Sequence, residues 1–388
     1  MGETIYNYEK RLNKSISRVL SSPISEQNRK LILDFTNYSL VSDGVTKGTA
    51  SRTIYHLLNL ARWIQVDFDK ATAEDVQRCA IEINSSDYKP KGKKELTQYL
   101  RKFYKWLRKT DTYPPEVAKI RFRYNRLQNR MLPEEVLTEA DVEQMIHAST
   151  STRDRAFLAV LYETGCRIGE LLFLRIKHVA FDQVGALVWV TGKTGPRRIR
   201  IVSSVPHLAA WVNRHPQADK PEAYVWHGRM GVLSYDATKE VIRKLAFRAG
   251  IKKRVNPHAF RHARATFLAR TMKESMMRQY FGWTGGSEMA AVYVHLSNRD
   301  TEDAILKLNG IELDESGRGE SILKPRSCSR CAAKNASTNK VCSECNMPLD
   351  QSMYGKFTQA DSMLDRLLLD PEVKAFLAQK IQGLAPGT

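Results

Sequence analysis

The chain has 388 residues, of which 61 are Lys or Arg and 42 are Asp or Glu, giving a formal net charge of +19. Its hydrophobic content of 42% and mean hydropathy of -0.42 are typical of a globular protein with two or more domains. No window reaches the roughly 18 uninterrupted apolar residues of a membrane span, and the N-terminus lacks the apolar core of a signal peptide. We therefore expect a cytoplasmic protein without membrane contact.

The excess of positive charge favours a polyanionic partner, because basic surfaces gain affinity for phosphates by releasing counterions. Nucleic acid is the leading candidate. An anionic membrane could also attract such charge, but the sequence offers no membrane span. The six cysteines are too few for a disulfide scaffold in a chain of this length.

In chain order, a basic segment is followed by four stretches with apolar residues three and four positions apart, which predicts a helical bundle. The last of these helices has a basic face that either is solvated or contacts DNA. Paired prolines then indicate a linker, and Thr138 can cap the first helix of a second domain, with Asp141 in its first turn.

The second domain mixes helices with one β-hairpin, in which two strand-like runs flank a Gly-Lys-Thr-Gly-Pro turn. We expect a mainly α fold with a small β-sheet (α+β). The predicted organisation is a basic arm (1–25), a helical domain (26–110), a linker (111–133), a second domain (134–310), a linker (311–326), a cysteine module (327–350) and a C-terminal amphipathic helix (351–388).

Arg167 is a candidate for binding an anion. Gly165 can end one helix, and the next helix begins directly afterwards, so Arg167 is predicted near a helix N-terminus. An arginine there can hold a phosphate through two parallel hydrogen bonds. The alternative is a surface arginine paired with Glu170.

A second candidate lies in the helix that Asn256 and Pro257 can start. His258 and Arg261 are three residues apart and share a face, which suits a phosphate-contacting pair. The spacing from His258 to His262 also suits a metal pair, but no third ligand is evident. A purely structural histidine is the other alternative.

Three more side chains complete a chemically coherent set. Lys193, at the hairpin tip, is either a turn lysine or a proton donor; Trp283 fills a core gap, hydrogen-bonds a phosphate, or does both. Tyr293 would ordinarily be a core residue, as we expect for Tyr280. Together with two arginines and a histidine, it suits attack by a phenolic oxygen on a phosphodiester without a metal.

The order Arg, Lys, His-x-x-Arg, Trp, Tyr resembles the tyrosine recombinases, or phage integrase family. The motifs are "TGCRIGELLFLR", "TGKTGPRRIRI", "HAFRHARATFLA", "FGWTGGS" and "AAVYVHLS". The resemblance covers 134–310 strongly, and 26–110 is similar to the family's core-binding domain. Trp283 stands where a histidine is more usual in the family.

The resemblance implies a DNA recombinase in which two domains form a clamp around a duplex. Tyr293 would be the nucleophile of a 3'-phosphotyrosyl intermediate, and no catalytic cofactor would be needed. The other implied catalytic residues are Arg167, Lys193, His258, Arg261 and Trp283, with Glu170 and His262 in supporting positions.

The implied partners are specific recombination sites in double-stranded DNA, three further copies of the chain in a tetramer, and accessory proteins. A mobile-element integrase, associated with the nucleoid, is the leading interpretation. The alternatives are a chromosome-dimer resolution recombinase, a type IB topoisomerase and a noncatalytic DNA-binding regulator with the same fold.

Four cysteines form two Cys-x-x-Cys pairs ten residues apart, and four thiolates on two turns suit a tetrahedral structural zinc. Redox pairs or disulfides are the alternatives. The predicted ligands are Cys328, Cys331, Cys342 and Cys345. This compact module resembles zinc ribbons of archaeal integrase-like proteins, and it could contact DNA or a neighbouring protomer. Cys79 and Cys166 are expected to be ordinary buried thiols, and the leucine-rich tail either contacts a partner or packs on its own domain.

Overall fold

The computed structural model describes residues 7–122, 133–192, 194–228, 231–284, 293, 305–306, 308–310, 321–350, 353, 359, 363–364 and 366–382. By packing, the chain divides into two units, Met1–Met131 and Leu132–Thr388. Within the described ranges, no helix has the length and apolar character needed to cross a membrane.

The first unit is helical, as predicted. Side chains of Ser25, Thr46 and Thr72 accept hydrogen bonds from backbone N–H groups in the first turns of their helices. The helices are α1 (Tyr8–Leu20), α2 (Glu26–Val41), α3 (Lys47–Ile64), α4 (Ala73–Ser85), α5 (Pro90–Leu107) and α6 (Pro115–Ala118).

The core of this unit includes residues that the sequence suggested were an arm. Leu12 and Val19 of α1 are buried against the other helices. Deeper in, Phe103 packs edge-on to Phe35, with ring centroids 5.4 Å apart, and contacts Phe68 at 4.6 Å. Because α1 contributes buried side chains to this core, it belongs to the helical unit.

The second unit combines helices with short antiparallel strands, which confirms the predicted mainly helical fold with a small sheet. Its helices are α7 (Glu139–His147), α8 (Thr152–Thr164), α9 (Ile168–Leu172), α10 (Val205–Val212), α11 (Tyr235–Arg248), α12 (Pro257–Leu268), α13 (Glu274–Phe281) and α14 (Pro371–Gln382). Its strands are β1 (Val179–Asp182), β2 (Gly185–Gly192), β3 (Gly195–Ile201), β4 (His227–Gly228), β5 (Gly231–Val232), β6 (Arg326–Ser327) and β7 (Lys334–Asn335).

The predicted hairpin is present as β2 and β3, paired from Ala186↔Ile201 to Gly192↔Gly195. Strand β1 adds a third strand that the sequence did not reveal. It carries no buried residue, so it lacks the alternation of apolar and polar side chains that marks a half-buried strand. Shorter pairings join β4 to β5 and β6 to β7.

Helix α8 forms the centre of the second unit and sets the position of the first predicted arginine. Every residue from Ala156 to Thr164 is buried, as expected for a helix surrounded by protein. Gly165 ends α8 in the left-handed conformation, with φ of +54°, and a Cβ there would lie 2.6 Å from the Phe281 ring. This turn needs glycine for both reasons.

Candidate active site

Arg167 lies between α8 and α9, as the sequence predicted. Its backbone N–H donates to Glu170 Oε2 at 2.9 Å, and its Nη1 donates to Glu170 Oε1 at 3.0 Å. The Arg167 side chain is 40% exposed, whereas that of Glu170 is 3% exposed. The buried Glu170 therefore fixes the position of Arg167 and leaves part of the Arg167 guanidinium open to a ligand.

Arg197 is the second cation on Glu170, and the sequence analysis did not identify it. Its Nη2 donates to Glu170 Oε2 at 2.6 Å, and its side chain is only 10% exposed. Burial opposes ionisation of Glu170, but the ion pair with Arg197 and the hydrogen bonds from Arg167 outweigh it and lower the pKa of this carboxyl. The carboxylate is thus ionised and shared by two arginines.

Replacing Arg197 with methionine should destabilise the second unit by about 3–5 kcal/mol, because Glu170 would keep a buried charge with one cation fewer. The folded pKa of Glu170 lies below the ordinary glutamate value of 4.5, so the pair contributes stability above that pH and loses it as the pH falls through the lowered pKa. Chemical denaturation of the wild type and the variant at neutral and acidic pH measures both effects.

Arg200 provides the matched control on the same strand. Its pair with Asp182 leaves the two side chains 41% and 38% exposed, so Arg200→Met should cost only about 0–1 kcal/mol. Equal losses for Arg197→Met and Arg200→Met would show that the buried pair does not stabilise the site.

Arg261 is buried on α12, with only 4% of the residue exposed. Its Nη1 donates to the Gly165 carbonyl and its Nη2 to the Phe281 carbonyl, each at 2.8 Å. Burial and the nearby charge of Arg167 lower the pKa of Arg261 to about 10, so it remains protonated at neutral pH. A cation buried so close to another cation is well suited to binding an anion.

The C-terminal end of α13 brings the arginines together. Arg197 Nε donates to the Tyr280 carbonyl at 3.0 Å, Arg261 donates to that of Phe281, and Arg167 Nη2 reaches that of Gly282 at 3.4 Å. Carbonyl groups at a helix C-terminus lack partners within the helix and carry partial negative charge. Three successive carbonyls therefore fix three cations beside one another.

An aromatic stack continues from this helix end to Tyr293. The Phe281 and Trp283 rings have centroids 4.8 Å apart, and Trp283 stacks on Tyr293 at 5.7 Å with an angle of 5° between the planes. Tyr293 is 3% exposed. Burial raises the pKa of its phenol, although the charge of Arg261 opposes the shift. Trp283 thus positions the tyrosine ring, consistent with the predicted packing role.

His262 lies beside Tyr293, and His258 packs against His262. The Tyr293 hydroxyl hydrogen-bonds His262 Nδ1, and the His258 ring packs edge-on to His262 with centroids 4.3 Å apart. His258 is exposed, while Arg261 is buried, so the two predicted partners differ in environment. Asn256 caps this helix, as predicted, by accepting from the backbone N–H groups of the second and third helical residues.

Lys193 lies outside the described residues, but both of its neighbours are in the site. Gly192 is so close to Glu170 that a Cβ there would lie 2.8 Å from the carboxyl carbon. Thr194 Oγ1 donates to the Gly282 carbonyl at 3.1 Å. The hairpin turn therefore meets the helix end that holds the arginines.

The signal for Arg197 was present in the strand pattern. Alternating residues of β3 face the same way, and Arg197 shares the inward side with the buried Ile199 and Ile201. An arginine on the inward face of a strand needs a buried anion, and Glu170 provides it. Tyr280 was correctly expected to be structural, since its hydroxyl donates to the Glu163 carbonyl at 2.6 Å.

In a comparison with known proteins, residues 135–299 match the model described as the phage integrase family. This segment of the chain is similar to the tyrosine recombinases of that family. Tyrosine recombinase XerD of Lacticaseibacillus casei is 27% identical over 286 residues, covering 69% of this chain and 94% of that protein. Tyrosine recombinase XerC of Xanthomonas campestris pv. campestris (strain B100) is 31% identical over 216 residues, covering 53% of this chain and 64% of that protein.

The fold of this chain is also seen in a solved structure. The crystal structure of XerH site-specific recombinase, bound to a palindromic difH substrate in a post-cleavage complex, has a TM-score of 0.54 to this chain. The two share 16% sequence identity over 79% of this chain and 98% of that chain. At this identity, the likeness shows a common fold.

The four cysteines of the C-terminal module lie together. Cys328 Sγ is 3.6 Å from Cys345 Sγ, Cys331 Sγ is 3.6 Å from Cys342 Sγ, and all four sulfur atoms lie within 4.8 Å of one another. A tetrahedral zinc with bonds of about 2.3 Å separates its sulfur ligands by about 3.8 Å. The sulfur positions therefore fit a zinc ion.

The backbone of the module also fits two metal-binding turns. In each Cys-x-x-Cys pair, the residue after the second cysteine is left-handed and donates to the carbonyl of the first cysteine: Ala332 to Cys328 at 2.9 Å, and Asn346 to Cys342 at 3.0 Å. The fully buried Asn335 contacts the second turn, because its Nδ2 donates to Cys342 Sγ at 3.4 Å.

This module packs against the integrase domain of the same chain, a placement that the sequence had left open. Thr338 Oγ1 lies 3.0 Å from His207 Nε2 of α10, and Lys334 Nζ donates to the Gln183 carbonyl at the β1–β2 turn at 3.0 Å. Upstream, Ser321 Oγ donates to Glu139 of α7 at 2.8 Å. These contacts fix the module on one side of the second unit.

Proposed function

We propose that the chain is a site-specific recombinase that cleaves and rejoins duplex DNA through a covalent bond between Tyr293 and a 3'-phosphate. The observation that carries this proposal is the position of the Tyr293 phenol, which contacts His262 and stacks on Trp283 beside the buried Arg261. This position supports Tyr293 as the nucleophile, because cationic groups beside it would stabilise a reacting phosphate.

In the proposed reaction, Tyr293 Oη attacks phosphorus and displaces the 5'-oxygen of the next nucleotide. Arg167 and Arg261 would bind the non-bridging oxygens and stabilise the charge that develops on them. Lys193 would protonate the departing 5'-oxygen, and a histidine of α12 would move the tyrosine proton. The phosphotyrosyl bond keeps the energy of the broken bond, so the reverse attack by a 5'-hydroxyl reseals a strand.

Nicked suicide duplexes test this function, because the short 5' fragment diffuses away after cleavage and traps the covalent complex. The duplexes would be selected from a randomised pool by binding to the chain. We expect a covalent adduct in the presence of EDTA, mapped by mass spectrometry to the peptide containing Tyr293. Binding without an adduct would instead indicate a noncatalytic DNA-binding regulator.

The net charge of +19 supports duplex DNA with specific recombination sites as the substrate, and we propose a tetramer of the chain on two such sites, working with accessory proteins in the nucleoid. The exposed apolar side chains of the tail support contacts with a neighbouring copy; they are Met363, Leu364, Leu367, Leu368 and Leu369. We propose integration or excision of a mobile element as the biological role, supported by the appended cysteine module. Its archaeal character remains a prediction.

We further propose that Cys328, Cys331, Cys342 and Cys345 hold a structural zinc. The sulfur spacing and the paired turns support this assignment. When bound, zinc would supply the cross-link that a small segment with little apolar core otherwise lacks. The cysteine module contacts α10 and the β1–β2 turn, so the bound zinc would also stabilise the second unit.

The purified chain should carry one zinc per molecule, and Cys342→Ser should lose it and unfold the segment 321–350. Native mass spectrometry measures the zinc, and backbone NMR signals report the fold of the segment. Cys79→Ala is the control, since Cys79 is buried in the core of the first unit and should not affect zinc. A Cys342→Ser chain that retains its zinc would contradict the assignment.

A further inference from the structure

The contact between Tyr293 and α12 assigns a role to a histidine outside the His-x-x-Arg motif. The Tyr293 hydroxyl meets Nδ1 of His262, and the two ring centroids are 5.7 Å apart. We propose that His262 Nδ1 accepts the Tyr293 proton during strand cleavage and returns it during religation. This inference rests on the proposed function and makes His262, rather than His258, the general base.

The burial of Tyr293 favours a hydrogen bond in which its phenol is the donor. Only 3% of the residue is exposed, so an unpaired phenol O–H would be costly. A neutral imidazole has one protonated and one unprotonated ring nitrogen. If Nδ1 is the unprotonated nitrogen, it can accept from the phenol, and the proton of the ring is then on Nε2.

The surroundings of His262 keep it neutral before DNA binds. Burial, the neighbouring His258 and the charge of Arg261 lower the pKa of His262 to about 4. In the part of the chain that the structure describes, the titratable group that contacts His262 from outside α12 is the Tyr293 phenol. A phosphate anion entering beside Arg261 would offset part of this positive potential and make protonation of His262 easier. The base is thus unprotonated at neutral pH and becomes stronger when the substrate is present.

His258 is less well placed to take this proton. It is exposed, and its ring packs edge-on to His262, with centroids 4.3 Å apart. We assign His258 to contact with the DNA phosphate and to support of the His262 ring.

In the proposed cleavage step, His262 gains one proton and Lys193 loses one. The Tyr293 Oη–H bond breaks and its proton passes to His262 Nδ1, giving an imidazolium ion. The Oη–P bond forms while the P–O5' bond breaks, and the 5'-oxygen takes a proton from Lys193. Religation reverses each transfer: the 5'-hydroxyl gives its proton to Lys193, and the imidazolium returns a proton to Tyr293.

The first test needs no DNA. In the ¹⁵N-labelled full chain at neutral pH, His262 should give NMR shifts of an unprotonated Nδ1 that accepts a hydrogen bond and of a protonated Nε2. Tyr293→Phe should shift the Nδ1 resonance and leave the tautomer unchanged. A protonated Nδ1 would overturn the inference, because that nitrogen could not take the phenol proton.

The second test is the pH dependence of cleavage on suicide duplexes. Loss of a general base typically costs about 10²–10⁴-fold, so His262→Asn should cleave that much more slowly at pH 7. The cleavage rate of His262→Asn should rise tenfold per pH unit, because hydroxide must remove the phenol proton in this variant. The wild-type rate should reach a plateau as the pH rises. A hydroxide-dependent rate in His258→Asn but not in His262→Asn would overturn the inference. Thermal melting checks that both variants are folded.

A modified leaving group distinguishes the general base, His262, from the general acid, Lys193. A 5'-bridging phosphorothiolate releases a thiolate, which needs no proton, so it should restore cleavage to Lys193→Ala and leave His262→Asn slow. Restored cleavage in His262→Asn would show that His262 acts on the leaving group. If the wild type cleaves and His262→Asn cleaves at the same rate, only this inference is overturned. If the wild type forms no covalent adduct, the proposed function is overturned.

Discussion

A Tyr293→Phe chain should bind DNA with wild-type affinity and form no covalent complex with it. The substitution removes the attacking oxygen and keeps the ring, so the stack on Trp283, with planes 5° apart, is retained. The hydrogen bond to His262 is lost, which should cost about 1 kcal/mol of folding free energy. The loss of cleavage is therefore chemical and does not result from unfolding.

Gel electrophoresis under denaturing conditions measures the adduct, and a mobility-shift assay measures binding. Tyr280→Phe is the matched control, because its hydroxyl is also a buried donor, bonded to the Glu163 carbonyl at 2.6 Å. That variant should lose similar stability and still form the adduct. A covalent complex with Tyr293→Phe would show that another residue is the nucleophile.

Arg261→Lys should slow cleavage by about 10²–10³-fold although it keeps the positive charge. The guanidinium spans two carbonyls, those of Gly165 and Phe281, and an ammonium group cannot reproduce this planar, two-sided geometry. A carbonyl left without a donor costs about 1–3 kcal/mol, so stability should also fall. The cation would then no longer be held beside Arg167 and Tyr293.

Single-turnover cleavage well below the melting temperature separates the chemical effect from unfolding. Arg270→Lys is the control, because Arg270 is exposed and lies just after α12. The cleavage rate and melting temperature of this variant should match those of the wild type. If Arg261→Lys also cleaves at the wild-type rate, Arg261 supplies charge alone, and its geometry does not matter.

Much of the fold could be predicted from local sequence signals. Thr138 and Asn256 cap the helices that they were expected to cap, because capping depends on a few neighbouring residues. Strand β1 and the packing of α1 could not be predicted in the same way. Strand β1 depends on pairing with β2, and Leu12 and Val19 are buried only because other helices cover them.

Some features of the candidate site could also be predicted from the sequence, and others could not. Arg167 and the end of α8 at Gly165 follow from local turn chemistry, and the chemical types of the set suggested a phenol acting on a phosphodiester. The importance of Arg197 and the contact of His262 with Tyr293 were not predicted. The first depends on a buried partner 27 residues away, and the second joins residues 31 apart.

The sequence by itself determined the helical class, the hairpin, the clustered cysteines and the residue types available for phosphate chemistry. Tertiary structure alone decided that the end of α13 gathers Arg167, Arg197 and Arg261, through hydrogen bonds spanning 115, 83 and 20 residues. The reason is physical: caps and turns are local, whereas buried carbonyls select their donors only after the helices have packed.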